Sequence, residues 1–506
     1  MEGKNRNVRE TISDSTVCMR VLFTHSYFLK FDSKQYRTAM PYPPLATLYA
    51  MAYLRENGFH VKLFDTMFAD SAHDIRPTIE RYKPDILVIY DDGFNYLTKM
   101  CLTNMREAAF DMQTYAKSQG CRVITSSSDA TDHGEKYLEH GADYIIIGEA
   151  EQTLLEICQL IQNKSEDRKS LIAGLAYAED HQVLKTPKRA VIKDLDTLPH
   201  PAWDLLDIEP YKAMWMQHHG YFSLNFVTTR GCPYKCNWCA KPIYGNRYNS
   251  HSAENIVREI KTWQQKFGFT HVWFADDIFG LKPSWLQEFA VAVNKEQLKI
   301  RYKIQSRADL LLGENNIEHL AKSGCDMVWM GAESGSQKIL DAMDKGTRVE
   351  QIYEASRLLK KHHIHVALFL QFGYPGETLD DIRKTMDMVN DLLPDDIGAS
   401  VSYPLPGTKF YDTVKEQLKT KTNWTDSDDL DLMFKNTYSK EFYKELHRYI
   451  HIRYRIRRGL HAMRLLFIKP SLYNAKQVAA LLRLIPQKWI WKQKLKTIEP
   501  GVASGL

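Results

Sequence analysis

The run TTRGCPYKCNWCAKP places Cys232, Cys236 and Cys239 within eight residues, spaced Cys-x3-Cys-x2-Cys directly after an apolar strand-like stretch. Three thiolates on one tight loop can converge on a metal centre, because soft sulfur ligands select zinc or iron–sulfur clusters over hard cations. A structural zinc needs a fourth ligand to close its tetrahedron. The nearest downstream histidine, His251, has no second ligand beside it. A cubane cluster held by three cysteines leaves one iron open, and an open metal position is what chemistry requires. The other five cysteines, Cys18, Cys101, Cys121, Cys158 and Cys325, stand alone in the sequence and read as small buried hydrophobes.

The elements around the loop must hold it. From Phe222 to about Leu405 the chain alternates short β-branched runs with helical intervals: YFSLNFVTTRG, FTHVWFADD, IRYKIQSRA, CDMVWMGAES, HVALFLQFGYPG and DIGASVSYPLPG. Six strands over about 185 residues are too few for an eight-stranded barrel of typically ~250 residues, so residues 221–408 are expected to form a partial (βα)6 barrel of TIM type. Upstream, residues 17–165 show the same alternation in CMRVLFTHS, HVKLFDT, PDILVIYDD, CRVITSSSD and ADYIIIGEAE. LATLYAMAYLRENG reads as an amphipathic helix stopping at Gly58. A Rossmann-like parallel sheet accounts for this pattern most economically. Its ligand-binding strand ends would be Thr24–Tyr27, Asp91–Phe94, Ser126–Ala130 and Gly148–Glu151. Residues 166–220, with a Pro-rich stretch that breaks both periods, read as a linker with some strand character. Residues 409–506 read as a helical C-terminal region.

The 506-residue chain is 44% hydrophobic and 25% charged, which excludes disordered, fibrous and small disulfide-scaffold classes. No apolar run reaches the ~18 residues of a membrane span, and MEGKNRNVRE lacks the apolar core of a signal peptide, so an intracellular, cytoplasmic location is expected. The net charge of +5 conceals a division. Residues 451–506 carry 12 Lys and Arg against the single acid Glu499, a tail of +11 on a body of −6. The tail mixes cations with Leu, Ile, Phe and Trp at roughly helical spacing. It suits a peripheral membrane-surface helix or a helix packed on the barrel, and nucleic acid is the weakest of its readings, there being no recognition motif.

The cysteine spacing, with Trp238 just before the third cysteine, resembles the signature of the radical S-adenosylmethionine superfamily. FADDIF, QSRADL, GAESGS and FGYPGET resemble its strand-end motifs in order. The resemblance implies a 4Fe–4S cluster on Cys232, Cys236 and Cys239, with S-adenosylmethionine on the open iron and cleaved to a 5′-deoxyadenosyl radical. It implies cofactor contacts from Trp238, Asp276, Arg307, Glu333 and Ser334. Gly331 and Gly335 would let backbone approach the ligand. The N-terminal segment resembles the cobalamin-binding domain of one large subclass, and Ser126, Ser127, Ser128, Gly148 and Glu149 stand at its cobalamin positions. Ser126-Ser127-Ser128-Asp129 replaces that group's usual Gly-Gly-x-His turn. Asp132-His133-Gly134 lacks the spacing that supplies a histidine to cobalt, so no histidine of this loop is expected to ligate it.

Val21 to Ile452 as a whole is similar to the anaerobic magnesium-protoporphyrin IX monomethyl ester cyclase-like group, whose relatives include methyltransferases. That resemblance implies methylation of an unactivated carbon on a small-molecule or lipid-like substrate, with an electron donor such as flavodoxin or ferredoxin. Two alternatives are an oxidative cyclase or rearrangement enzyme without methyl transfer, and a noncatalytic zinc- or cobalamin-binding module. The residues that act on the substrate stay unassigned.

Overall fold

The computed structural model describes residues 19–282, 284–468 and 471–499. Cys18 lies outside them. The first five expected strands form at β1 (Arg20–Thr24), β2 (His60–Leu63), β3 (Ile86–Tyr90), β4 (Arg122–Ser126) and β5 (Tyr144–Ile146). They pair in parallel in the order β2-β1-β3-β4-β5. Helices fill the intervals, including Leu45–Glu56, which ends beside Gly58 at φ +86°.

Alternate residues of these strands enter two different cores. Val21, Phe23, Ile86, Val88 and Ile124 belong to one cluster, and Leu22, Leu87, Ile89 and Val123 to the other. Both faces are therefore covered, which is why the strands read as unbroken apolar runs instead of alternating ones.

Residues 166–220 do more than link. β6 (Leu175–Glu179) and β7 (Gln182–Lys185) add an antiparallel hairpin to the edge of the first sheet, making seven strands. A helix at Glu209–His219 precedes the second sheet. The Pro-rich periodicity break marks the irregular stretch between the hairpin and this helix, and the hairpin itself is polar enough to escape a hydrophobic-run reading.

The second sheet contains β8 (Ser223–Phe226), β11 (His271–Phe274), β12 (Arg301–Ser306), β13 (Cys325–Glu333), β14 (His365–Phe372) and β15 (Asp396–Val401), all parallel and in sequential order. This is the order of a partial (βα)6 barrel. The two-residue strands β9 (Thr229–Arg230) and β10 (Asn249–Ser250) form a short antiparallel ribbon that flanks the cysteine loop.

The hydrophobic cluster on one face of the first sheet continues without interruption through the barrel to Tyr454 and Leu495. The two sheets therefore share a core. The C-terminal region is helical only in part, because residues 418–439 run irregularly. Its fully buried Trp424 anchors that loop, and Thr103 N–H donates to the Trp424 carbonyl at 2.9 Å. Two long helices, Lys440–Ile468 and Leu472–Ile498, close the chain. No helix among the described residues is long and apolar enough to cross a membrane.

Candidate active site

The cysteine loop leaves β9 through Gly231, where φ is +81° and an added Cβ would lie 2.5 Å from the Arg247 carbonyl oxygen. Only glycine fits a left-handed residue against backbone this close. Beyond it, Cys232, Cys236 and Cys239 are half-buried free thiols. Burial pushes Cys232 up and Cys239 up to about 12, against the opposing pull of the nearby Lys241 ammonium.

The loop is fastened on both sides. Lys241 donates to the Tyr234 carbonyl and to Asn246 Oδ1, while Asn237 donates from its backbone to Met343 O (3.0 Å) and from Nδ2 to Ala342 O (2.7 Å). Tyr374, from the FGYPGET motif, donates to Asn237 Oδ1 at 3.0 Å. His251 is not free to complete a zinc tetrahedron through Nδ1, which donates to Asp196 at 3.1 Å. Among the described residues no three His, Cys, Asp or Glu side chains are gathered for a single metal ion.

The expected S-adenosylmethionine contacts are brought to the same strand ends, but most spend their polar atoms on the protein. Asp276 accepts from the backbone and hydroxyl of both Thr228 and Thr229 at 2.7–2.9 Å. Burial lifts its carboxyl to about 7 against those four bonds. Its role here is to fix the strand end that launches the cysteine loop. Glu333, left-handed at φ +58°, is buried and paired with Lys345 at 3.0 Å.

Ser334 shares its hydroxyl with Thr385 at 3.1 Å and accepts from Ser336 N–H. Arg307 sits over the Tyr234 ring at 3.8 Å, donates to Asp309, Thr347 and the Lys345 carbonyl, and reaches Cys236 Sγ at 3.7 Å. Trp238 is partly buried beside the core, and its indole N–H has no partner. The two glycines of GAESGS admit protein, not ligand. A Cβ on Gly335 would meet the Lys384 carbonyl at 2.4 Å, and one on Gly331 would meet Lys345 Nζ at 2.7 Å.

At the strand ends of the first sheet the serine turn is buried. Ser127 accepts from Ala130 N–H at 2.8 Å, which caps the following short helix. Ser126 pairs through its backbone, accepting from Asp91 N–H. Ser128 Oγ and Thr125 Oγ1 are buried with no partner. Asp129 is held by Arg106 at 2.5–2.6 Å and by Tyr137 at 2.8 Å, and Arg106 also donates to Asn423 of the irregular C-terminal loop at 3.2 Å. His133 Nε2 stands 3.8 Å from Asp129. Gly148, at φ +85°, faces the Ile243 carbonyl of the barrel's cysteine-side loop.

Both carboxylate oxygens of Glu149 are engaged by protein donors. It accepts from Arg230 at 2.5 Å and from Ile192 N–H at 2.5 Å, while Glu151 accepts from Arg230 at 2.7 Å. Sequence reasoning missed Arg230, although a cation within the TTRGC run at a strand end was a visible signal. It is 2% exposed, ringed by Tyr49, Phe94 and Tyr244, and two residues from Cys232. It ties the cysteine loop directly to the GEAE strand end of the other sheet. Lys99 and Asp277 form a second tie between the sheets at 2.5 Å, close enough for Cys239 to act on Lys99 electrostatically.

Residues 226–389 match the family model described as the Radical SAM superfamily. The chain is an enzyme that carries a radical SAM domain. An uncharacterized methyltransferase of Pyrococcus horikoshii is 27% identical over 392 residues, 76% of this chain and 81% of the relative. An anaerobic magnesium-protoporphyrin IX monomethyl ester cyclase of Rubrivivax gelatinosus is 27% identical over 410 residues, 79% of this chain and 71% of that one.

Two solved structures share the fold at 17% identity. The cobalamin-dependent radical enzyme OxsB, with aqua-cobalamin bound, superposes with a TM-score of 0.69 over 96% of this chain and 80% of its own. The methyltransferase TsrM of Kitasatospora setae, with cobalamin and a [4Fe–4S] cluster, does so with 0.65 over 79% and 75%.

Proposed function

We propose that the protein is a cobalamin-dependent radical S-adenosylmethionine methyltransferase acting on an unactivated carbon of a small-molecule or lipid-like substrate, with a flavodoxin- or ferredoxin-type electron donor. The observation that carries this reading is the Arg230 clamp, which binds the three-cysteine loop to the strand ends of the Rossmann-like sheet. It sets two cofactor-type strand ends against each other in one molecule, as the ligand-binding rule for parallel sheets requires of each. The donors suit the groups. Three free thiols fit an iron–sulfur cluster. Two buried unpartnered hydroxyls, Thr125 and Ser128, fit the amide- and phosphate-rich periphery of cobalamin.

In this reading Cys232, Cys236 and Cys239 hold the cluster, and Trp238 with Glu333, Ser334 and Arg307 surrounds S-adenosylmethionine. When bound, the cluster supplies one-electron reduction to S-adenosylmethionine and the cobalamin carries the methyl group. The chain's own work is positional. Asp276 fixes the Thr228–Thr229 strand end, Lys345 neutralises Glu333, and Asn237 and Lys241 hold the loop in one shape. The aromatic ring of Tyr49, Phe94 and Tyr244 around Arg230 keeps water out of the seam between the two sheets, where a radical has to be protected.

Anaerobic reconstitution tests the reading. About four irons per chain with a reducible cubane signal, bound cobalamin, and label passing from methyl-labelled S-adenosylmethionine to a product support it. 5′-Deoxyadenosine with no methylated product would assign a cyclase-type reaction instead. Stoichiometric zinc without iron would reject both.

A further inference from the structure

The basic tail has no part in the site described, and its fold gives it a surface of its own. The helices Lys440–Ile468 and Leu472–Ile498 pack against each other through Ile452, Ile456, Leu481 and Leu484. At Gly459 a Cβ would meet Leu481 at 2.6 Å, so this seam is close and already filled. The first helix also rests on the barrel, where Tyr454 donates to the Pro394 carbonyl and Arg458 to Asp395.

What remains faces outward. Leu482, Ile485 and Trp489 follow one another at i, i+3 and i+7 along the second helix, and Leu482 and Trp489 are 85% and 66% exposed. Met463, Phe467 and Ile468 extend the patch at the end of the first helix, with Phe467 88% exposed. Burying such side chains would have stabilised the chain, yet none of the described residues covers them.

The charges around the patch choose the occupant. Arg457, Arg464, Lys476, Arg483 and Lys494 are exposed on the same two helices. Among the described tail cations only Arg453 and Arg458 form ion pairs with carboxylates. Glu499 is the only acid from His451 onward. A second copy of this face would bring two surfaces of +11 together. Duplex nucleic acid offers phosphates but nothing for a row of Leu, Ile, Trp and Phe. An anionic lipid surface satisfies both features, since its headgroups pair with the cations while the apolar row sinks to the acyl boundary. No span is needed for this, and none is present among the described helices.

We propose that the C-terminal helical hairpin is a peripheral membrane-docking surface that seats Leu482, Ile485, Trp489 and Phe467 in an anionic leaflet, with the flanking Arg and Lys on its headgroups. The test is co-sedimentation of the full-length protein with phosphatidylcholine vesicles, with and without about 30% phosphatidylglycerol. Binding is expected only with the anionic lipid, and it should fall roughly tenfold or more at about 0.5 M salt. Leu482→Asp with Trp489→Asp should weaken it at least roughly tenfold while leaving thermal unfolding unchanged, because both side chains are exposed. Lys476→Glu with Arg483→Glu should do the same through charge alone. Equal binding to neutral vesicles, or an undiminished double-Asp variant, would overturn the proposal. So would a wild-type dimer in analytical ultracentrifugation that the double-Asp variant dissolves, or a preference for RNA over vesicles in direct competition.

Discussion

The two strand-end regions that meet at Arg230 spend their polar groups in opposite ways. At the barrel end nearly every charged side chain is committed to another: Asp276 to two threonines, Glu333 to Lys345, and Arg307 to Asp309 and Thr347. What carries no charge partner there is the set of three thiols and the unpartnered Trp238 indole N–H. At the Rossmann-like end the charges are also consumed, Asp129 by Arg106 and Glu149 by Arg230, but hydroxyls are left over at Thr125 and Ser128. The contrast teaches that the committed charges build the frame. The groups left with capacity for a ligand are the cysteine thiols and the Trp238 indole N–H at one end and two hydroxyls at the other.

The sharpest way to break this comparison is to remove a thiol. Cys232→Ala should abolish iron retention after anaerobic reconstitution, leaving the brown absorbance and S-adenosylmethionine cleavage at background, while far-UV circular dichroism stays that of the parent. Iron at the parent's stoichiometry in this variant would mean that the loop is not the cluster site.

Next in size is the clamp. Arg230→Met leaves Glu149 and Glu151 buried without their cation, and breaking a buried pair from one side costs about 3–5 kcal/mol, measurable as a lower urea midpoint. Replacing both glutamates by Gln in the same background should return much of the loss. An unshifted midpoint in Arg230→Met would show that the two sheets do not depend on this contact.

A smaller effect separates the two kinds of hydroxyl in the serine turn. Ser128→Ala removes an unpartnered group, so stability should be nearly unchanged while cobalamin retention weakens about tenfold, the worth of one lost hydrogen bond. Ser127→Ala removes the acceptor for Ala130 N–H and should cost about 1 kcal/mol of stability. Cobalamin affinity unmoved by Ser128→Ala would make this sheet a scaffold that binds nothing.

The smallest effect concerns pH. Asp196 is held well below the usual carboxylate range, first by His251 and then by Ser252 and Asn255, although burial pulls the other way. A depressed carboxyl contributes stability above its unfolded-state value of about 4, and that stability is lost as pH falls below it. Thermal unfolding of the wild type should therefore decline on acidification from about pH 5 more steeply than that of Asp196→Asn. Parallel pH profiles would remove Asp196 from this account.

Much of the fold was legible because its strands are short apolar runs with helix-length spacing, and buried parallel strands look like that whatever surrounds them. The hairpin Leu175–Lys185 was not. Its exposed edge strand Gln182–Lys185 has no period of burial to read, and only pairing with β6 makes it a strand. The irregular stretch 418–439 lies within residues 409–506, which read from the sequence as a helical region. It is held by tertiary contacts such as the burial of Trp424 and the reach of Arg106 to Asn423. At the site, the motif residues stand at strand ends, and Glu149, Asp276 and the glycines of GAESGS meet protein groups there. A motif reports where a residue stands, not which neighbour its side chain meets.

By itself the sequence determined the three thiols and their spacing, the six-strand and five-strand alternations, and a tail of opposite charge to the body. These are local properties, set by residue type and by distances of a few residues. Only the tertiary structure decided that Arg230 joins the two halves, that Lys345 pairs with Glu333, and that Ser128 keeps a free hydroxyl while Ser127 does not. It alone also decided which face of the basic tail is left uncovered. Each of these depends on groups far apart in the chain being brought within hydrogen-bonding or packing distance, and side-chain pairing of that kind has no signature in spacing.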